Sequence, residues 1–153
     1  MRVLERLAAA GHTLPTPAAP VGSYVSAVRT ANLVFTSGQI PVIDGSTVAV
    51  GVVGGTVSEE TARACALQCV LNALAAASTM CELDDVTRVV KLTGYVASAP
   101  GFTAQPRVID AASELLVSAF GDDGRHAREA IGVTALPLGV PVEISLVLEV
   151  GVR

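Results

Sequence analysis

Two charged positions near the end of the sequence could do chemistry. Arg125-His126-Ala127-Arg128 places three candidate cations at the start of a β-prone run. Such a cluster beside a loop could hold an anion, because a guanidinium presents a planar fork of N–H donors to a carboxylate. The alternative is structural, with Arg128 paired to an acid across a hairpin. If the turn centres near Leu138-Gly139, Glu149 falls opposite Arg128 or Glu129. The spacing favours that ion pair, of a kind that stabilises by only ~0–1 kcal/mol when exposed. Glu143 stands between Val142 and Ile144 in an apolar strand. A carboxyl there is either on a solvated face or buried with a raised pKa, the latter a candidate acid/base. The same hairpin sets Glu143 opposite about Thr134, ~20 Å along the strand from Arg128 at ~3.3 Å per residue. Cooperation between the two would then call for a pocket between subunits.

Other chemistries find little support. Neither a GxGxxG nor a GxxxxGK[ST] pattern occurs, so no phosphate cradle is indicated. Cys65 and Cys69 share a helix face, but no third ligand sits at metal spacing, so they read as buried thiols, and Cys81 near the helix end reads as structural. His12 lies in a proline-rich arm and reads as solvated. No metal or cofactor is expected. Three cysteines, an odd number with no CxxC pair, argue for a reduced, cytoplasmic setting.

Composition narrows the classes further. Of 153 residues, 51% are hydrophobic, 3% aromatic and 16% charged, with 14 acids against 10 bases. A net charge of -4 and no Trp argue against a nucleic-acid groove. The run Ala64 to Cys81 carries Gln68, Asn72, Ser78 and Thr79 and reads as a packed core helix rather than a membrane span. So few charges imply apolar surface buried against another subunit.

The elements that must position these residues follow from patterning. Val3, Leu4, Leu7 and Ala8 form one stripe of a short helix, and 12–22 is an extended arm. Tyr24 to Thr30 and Leu33 to Gln39 read as a hairpin, and Asp44-Gly45 as a turn between short strands. Thr56 or Ser58 caps a helix running to about Met80. Val86 to Ala97 reads as a central strand. Phe102 to Phe120 is an amphipathic helix stopped by Gly121. Ala127 to Ala135 and Val142 to Val150 complete the set. The order β-β-β-α-β-α-β-β implies one α+β domain over 1–153: a helix and arm over 1–19, then a core over 20–153 with two helices on one face of a single sheet. The other face, expected to carry mainly Val, Ile, Ala and Leu, needs a symmetric copy to cover it.

Ser23-Tyr24-Val25, then Thr36-Ser37-Gly38-Gln39-Ile40-Pro41, Leu83-Asp84-Asp85-Val86, Ala127-Arg128 through Leu136-Pro137, and Val142-Glu143-Ile144 together resemble the RidA (YjgF) family. These are enamine/imine deaminases, also labelled L-PSP endoribonucleases or translation inhibitors. The similarity runs from about Pro20 to Val150, and the N-terminal helix and arm resemble a longer-N-terminus branch. It implies a chorismate-mutase-like fold, a homotrimer with clefts between protomers, and cofactor-free hydrolysis of acids such as 2-aminoacrylate to 2-keto acids and ammonia. By resemblance, Arg128 grips the substrate carboxylate and Glu143 positions a water. Tyr24 lines the cleft, and Ser37 with Gly38 forms a backbone-rich wall. Asp110 matches an asparagine of the second helix. Departures are Asp110 itself, Ala130 where Cys is frequent, and Glu129, which alternation turns to the opposite face. Alternatives to the deaminase are a ligand-sensing trimer without turnover and, less supported by the charge, an endoribonuclease.

Overall fold

Local signals set most of the elements. In the computed structural model, which describes residues 2–151, a helix α1 (Val3–Ala9) precedes an irregular arm. Met1, Val152 and Arg153, included in the expected domain, lie outside the described residues. Val3 and Leu7 of α1 are buried, whereas Leu4 and Ala8 of the expected stripe are exposed. The Val3 N–H donates to Asp84 Oδ1 at 2.8 Å, and Arg6 Nη1 to the Ala119 carbonyl at 3.2 Å. Strands β1 (Ala27–Thr30) and β2 (Leu33–Thr36) form the expected hairpin, though Tyr24 lies before it. Strands β3 (Val42–Ile43) and β4 (Ser46–Thr47) flank Asp44-Gly45, both at positive φ as a tight I′ turn demands.

Helix α2 (Glu59–Ala77) starts at Ser58, whose Oγ accepts the Thr61 N–H at 3.1 Å. Its small residues let it be buried on nearly every side. Strand β5 (Val86–Ala97) leads to α3 (Gln105–Phe120), which ends at Gly121 with φ 66°. Strands β6 (Ala127–Val133) and β7 (Val142–Val150) follow. The main sheet has the order β1-β2-β7-β5-β6. Both long helices lie on one face. There β7 contributes Val142, Ile144, Leu146, Leu148 and Val150, all buried. Helix α3 comes so close that a Cβ on Gly94 would sit 2.6 Å from Ile109 Cδ1.

The expected β6–β7 hairpin does not form. Strand β6 pairs in parallel with β5, and β7 runs antiparallel between β5 and β2. The cause lies upstream: α3 between β5 and β6 is the long crossover that parallel strands need. Arg128 therefore stands beside Leu92 and Glu143 beside Tyr95, rather than opposite Glu149 and Thr134. Glu149 instead accepts from Asn32 Nδ2 at 3.1 Å.

Among the described residues no element covers the second sheet face, but its chemistry differs from expectation. Its rows read Glu143–Tyr95–Ile131, Ser145–Thr93–Glu129, and Val147 with Lys91, Phe35 and Val28. Polar and apolar side chains are mixed, because β7 gives Glu143, Ser145, Val147 and Glu149 to this face and its alternate, buried aliphatic positions to the helices.

Candidate functional site

Strand alternation sends Arg128 and Ala130 to the helix side of the edge strand β6, beneath α3. Arg128 Nη1 donates to Asp110 Oδ1 at 2.7 Å and to Ser113 Oγ at 3.3 Å. Asp110 and Ser113 lie three apart on α3, hence on one helix face. The Ser113 hydroxyl lies 2.9 Å from His126 Nε2, and His126 Nδ1 lies 2.6 Å from the Gly124 carbonyl. A carbonyl only accepts, so Nδ1 carries the proton and Nε2 accepts from Ser113. Burial pushes the His126 pKa down; the Gly124 bond opposes this and the Arg128 charge adds to it. Ala130 lies half-buried against the core.

The triple cation read from 125–128 is thus not one cradle. Arg125 turns out to solvent, where its Nε lies 3.4 Å from Asp122 Oδ1, and His126 serves as a neutral acceptor. The partner expected for Arg128 was Glu149; the partner found is Asp110, since β6 has α3 above it and β5, not β7, beside it. Glu129 lies on the opposite face, as alternation requires, 3.0 Å from Lys91 Nζ.

Glu143 occupies that opposite face. Gln39 and Ile144 exchange backbone hydrogen bonds of 2.8 and 3.0 Å, laying Ser37–Gln39 beside the start of β7. A Cβ on Gly38 would sit 2.7 Å from Glu143 Oε1, so glycine makes room for the carboxyl. Ser37 Oγ donates to the Val25 carbonyl at 2.6 Å and Ser37 N–H to Ser26 at 2.8 Å, tying this wall to the stretch holding exposed Tyr24. Among the described residues none donates a hydrogen bond to the Glu143 carboxyl, and burial raises its pKa above the usual carboxylate range.

Asn72 supports this wall from α2. Its Nδ2 donates to the Ile40 and Val42 carbonyls at 2.9 and 3.0 Å, and its Oδ1 accepts from Gln68 at 3.0 Å. The sequence reading passed over Asn72 and Ser113 as site residues, and took His126 as a candidate cation rather than as the neutral acceptor it is here. A polar side chain inside an alanine-rich core helix was the available signal for Asn72.

The structure therefore sorts the candidates into two groups, or half-sites: Arg128, Asp110 and Ala130 under α3, and Glu143, Gly38 and Ser37 on the open side, with exposed Tyr24 one residue before the Val25 carbonyl that Ser37 holds. Two strand spacings and three residues of register separate Arg128 from Glu143, roughly 10 Å in each direction. A groove of about 690 Å³, lined by Arg29, Asn32, Cys81, Glu82 and Asp85 among others, contains none of them. Among the described residues no three His, Cys, Asp or Glu side chains gather as a metal site, and no helix is long and apolar enough to cross a membrane.

Residues 15–150 match the family model described as Endoribonuclease L-PSP. The chain belongs to this family. The L-PSP match spans both half-sites, from Tyr24 to Glu143. A Trypanosoma cruzi protein named TCP17 is 42% identical over 97% of this chain and 94% of its own length. A crystal structure from Agrobacterium tumefaciens, described as of unknown function, superposes with a TM-score of 0.89 at 38% identity, covering 97% of this chain and 92% of that one. The YjgF gene product of E. coli superposes with a TM-score of 0.64 at 28% identity, covering 90% and 94%. The mixed α+β architecture with one main sheet is that of the YjgF proteins.

Proposed function

We propose that this L-PSP protein is a cofactor-free enamine/imine deaminase whose clefts form between the protomers of a homotrimer. The observation that carries the proposal is the division of the charged candidates. Arg128 and Glu143 are each partly exposed, each retain unused hydrogen-bonding capacity, and point from opposite faces of one chain. A symmetric copy can bring one protomer's Arg128 to its neighbour's Glu143. The guanidinium fork then holds the carboxylate of an imino acid. Glu143 takes a proton from water as oxygen bonds to the imine carbon, and returns it to nitrogen as ammonia leaves. Burial raises the Glu143 pKa, which makes its carboxylate a stronger base for the first transfer. The 1–153 chain acts as one unit, with α1 docked on α3. A cytoplasmic setting belongs to the same proposal, supported by three free thiols.

A second reading is a trimer that binds small carboxylates without turnover, favoured by Asp110 already sharing the Arg128 guanidinium. Ribonuclease activity finds no support in an open face bearing Glu129, Glu143 and Glu149.

The test measures 2-keto acid and ammonia release from imines generated in situ by an amino-acid oxidase. Arg128→Ala should lose roughly 2–5 kcal/mol of stabilisation of the bound carboxylate. Arg128→Lys should lose most activity, and Glu143→Gln should lower kcat more than it raises KM. Co-refolding Arg128→Ala with Glu143→Gln should restore activity, because some mixed clefts carry both native residues. No recovery, or light scattering that shows a monomer at micromolar concentration, refutes the inter-subunit cleft. Ligand binding without turnover selects the second reading.

A further inference from the structure

We infer that Arg128 and Asp110 together form a subsite selective for zwitterions, taking a carboxylate beside a cationic nitrogen and disfavouring plain carboxylates. The inference rests on the reading of Arg128 as the carboxylate anchor. The guanidinium spends only Nη1 inside the chain, on Asp110 Oδ1 and Ser113 Oγ; Nε and Nη2 donate to no described residue. Asp110 accepts only at Oδ1, and no described residue donates to its Oδ2. The two side chains are 25% and 43% exposed, so a ligand can reach both while neither is fully hydrated. Opposite charges 2.7 Å apart sum to zero. A plain carboxylate approaching Arg128 meets the like charge of Asp110. An α-iminium or α-ammonium acid carries its own positive charge one carbon from its carboxylate, and that nitrogen donates to Asp110 Oδ2.

The selectivity follows the proposed reaction. In R–C(=NH2+)–COO− + H2O → R–CO–COO− + NH4+, the substrate is a zwitterion and the organic product is a bare anion. Hydrolysis removes the group that Asp110 holds, so the keto acid is released rather than retained.

L-alanine and pyruvate share a carbon skeleton and differ in this respect. Calorimetry on the full chain at pH 7.5 should show alanine bound about tenfold more tightly than pyruvate, the scale of one charge-assisted hydrogen bond. Asp110→Asn keeps the shape and removes the charge, and should invert the ratio by improving pyruvate. Asp110→Ser serves as a second variant, and comparing two ligands on the same protein cancels any loss of folded fraction. Arg128→Ala should abolish binding of both. Pyruvate binding as tightly as alanine, or an unchanged ratio in both Asp110 variants, overturns the selectivity while Arg128 still anchors. Absence of any Arg128-dependent binding overturns the anchor and the selectivity together.

Discussion

Replacing Gly38 by alanine adds one carbon at the point where the open half-site is tightest. That carbon would lie 2.7 Å from Glu143 Oε1, 2.9 Å from its Cδ and 3.2 Å from its Cγ. Gly38 is not among the positive-φ glycines, so the backbone accepts alanine and the collision falls on the Glu143 side chain. Restoring ordinary contact near ~3.5 Å requires the carboxyl to retreat by ~0.8 Å. A flexible glutamate can do so by leaving its rotamer well, costing ~0.5–1.5 kcal/mol, or ~1–6 °C in Tm for a chain of this size. Catalysis is less tolerant, since a reacting group misplaced by ~1 Å can lose ~100-fold in rate. Gly38→Ala should therefore fold, retain KM because Arg128 is untouched, and drop kcat by roughly tenfold to a hundredfold. Imine hydrolysis at varied substrate, alongside a thermal melt, reads both quantities. A parental kcat would refute the idea that the position of the Glu143 carboxyl carries the step, and a Tm loss beyond ~10 °C would refute the soft collision.

Glu143, with its pKa raised above the ordinary 4.5 by burial, favours folding most when protonated, and that contribution is lost as pH rises through its folded pKa. Melting curves from pH 4 to pH 8 should thus show Glu143→Gln gaining Tm over the parent only toward the alkaline end; an equal gain at pH 4 contradicts this. His126 has the opposite sign: its pKa lies below the ordinary 6.5, so its contribution is present above that value and fades as pH falls through the folded pKa. The parent should lose more Tm than His126→Gln between pH 7 and pH 5, and parallel curves would remove the Ser113–His126 bond from the account. Burial pushes the Cys65 thiol to about 11 and Cys69 well above its ordinary value. Native protein should resist iodoacetamide at both for hours at pH 8, while denatured protein yields three alkylated thiols by mass spectrometry.

What could be read from the sequence was local. The Ser58 cap, the Asp44-Gly45 turn and the apolar stripe of α3 each depend on residues a few positions apart, and each is found where the spacing put it. Strand partnership is not local. The nearness of β6 and β7 in sequence suggested a hairpin, whereas the length of α3 dictated a crossover, and that choice moved Arg128 from Glu149 to Asp110. Alternation did correctly separate Glu129 from Arg128, because it needs only the strand and not its neighbour. The Arg128–Ser113–His126 chain was hidden for a further reason. It joins a helix face to His126 just before β6 and to Arg128 within it, and only the packing of α3 over that strand brings them within bonding distance.

The position of β7 bears on how the chain acquires its shape. The β1–β2 hairpin and the β5–β6 pair share no ladder; β7 alone joins them. Contacts such as Asn32 to Glu149 close a loop of 117 residues, an entropic cost that no earlier strand helps to offset. During synthesis the N-terminal hairpin and the open half-site wall must wait, unpaired along one edge, until β7 has emerged. Segments 33–36 and 86–97 then present exposed strand edges at the same time, the condition under which nascent chains pair with one another. Chaperone demand and co-translational aggregation should respond to the emergence of this one strand more than to that of any other.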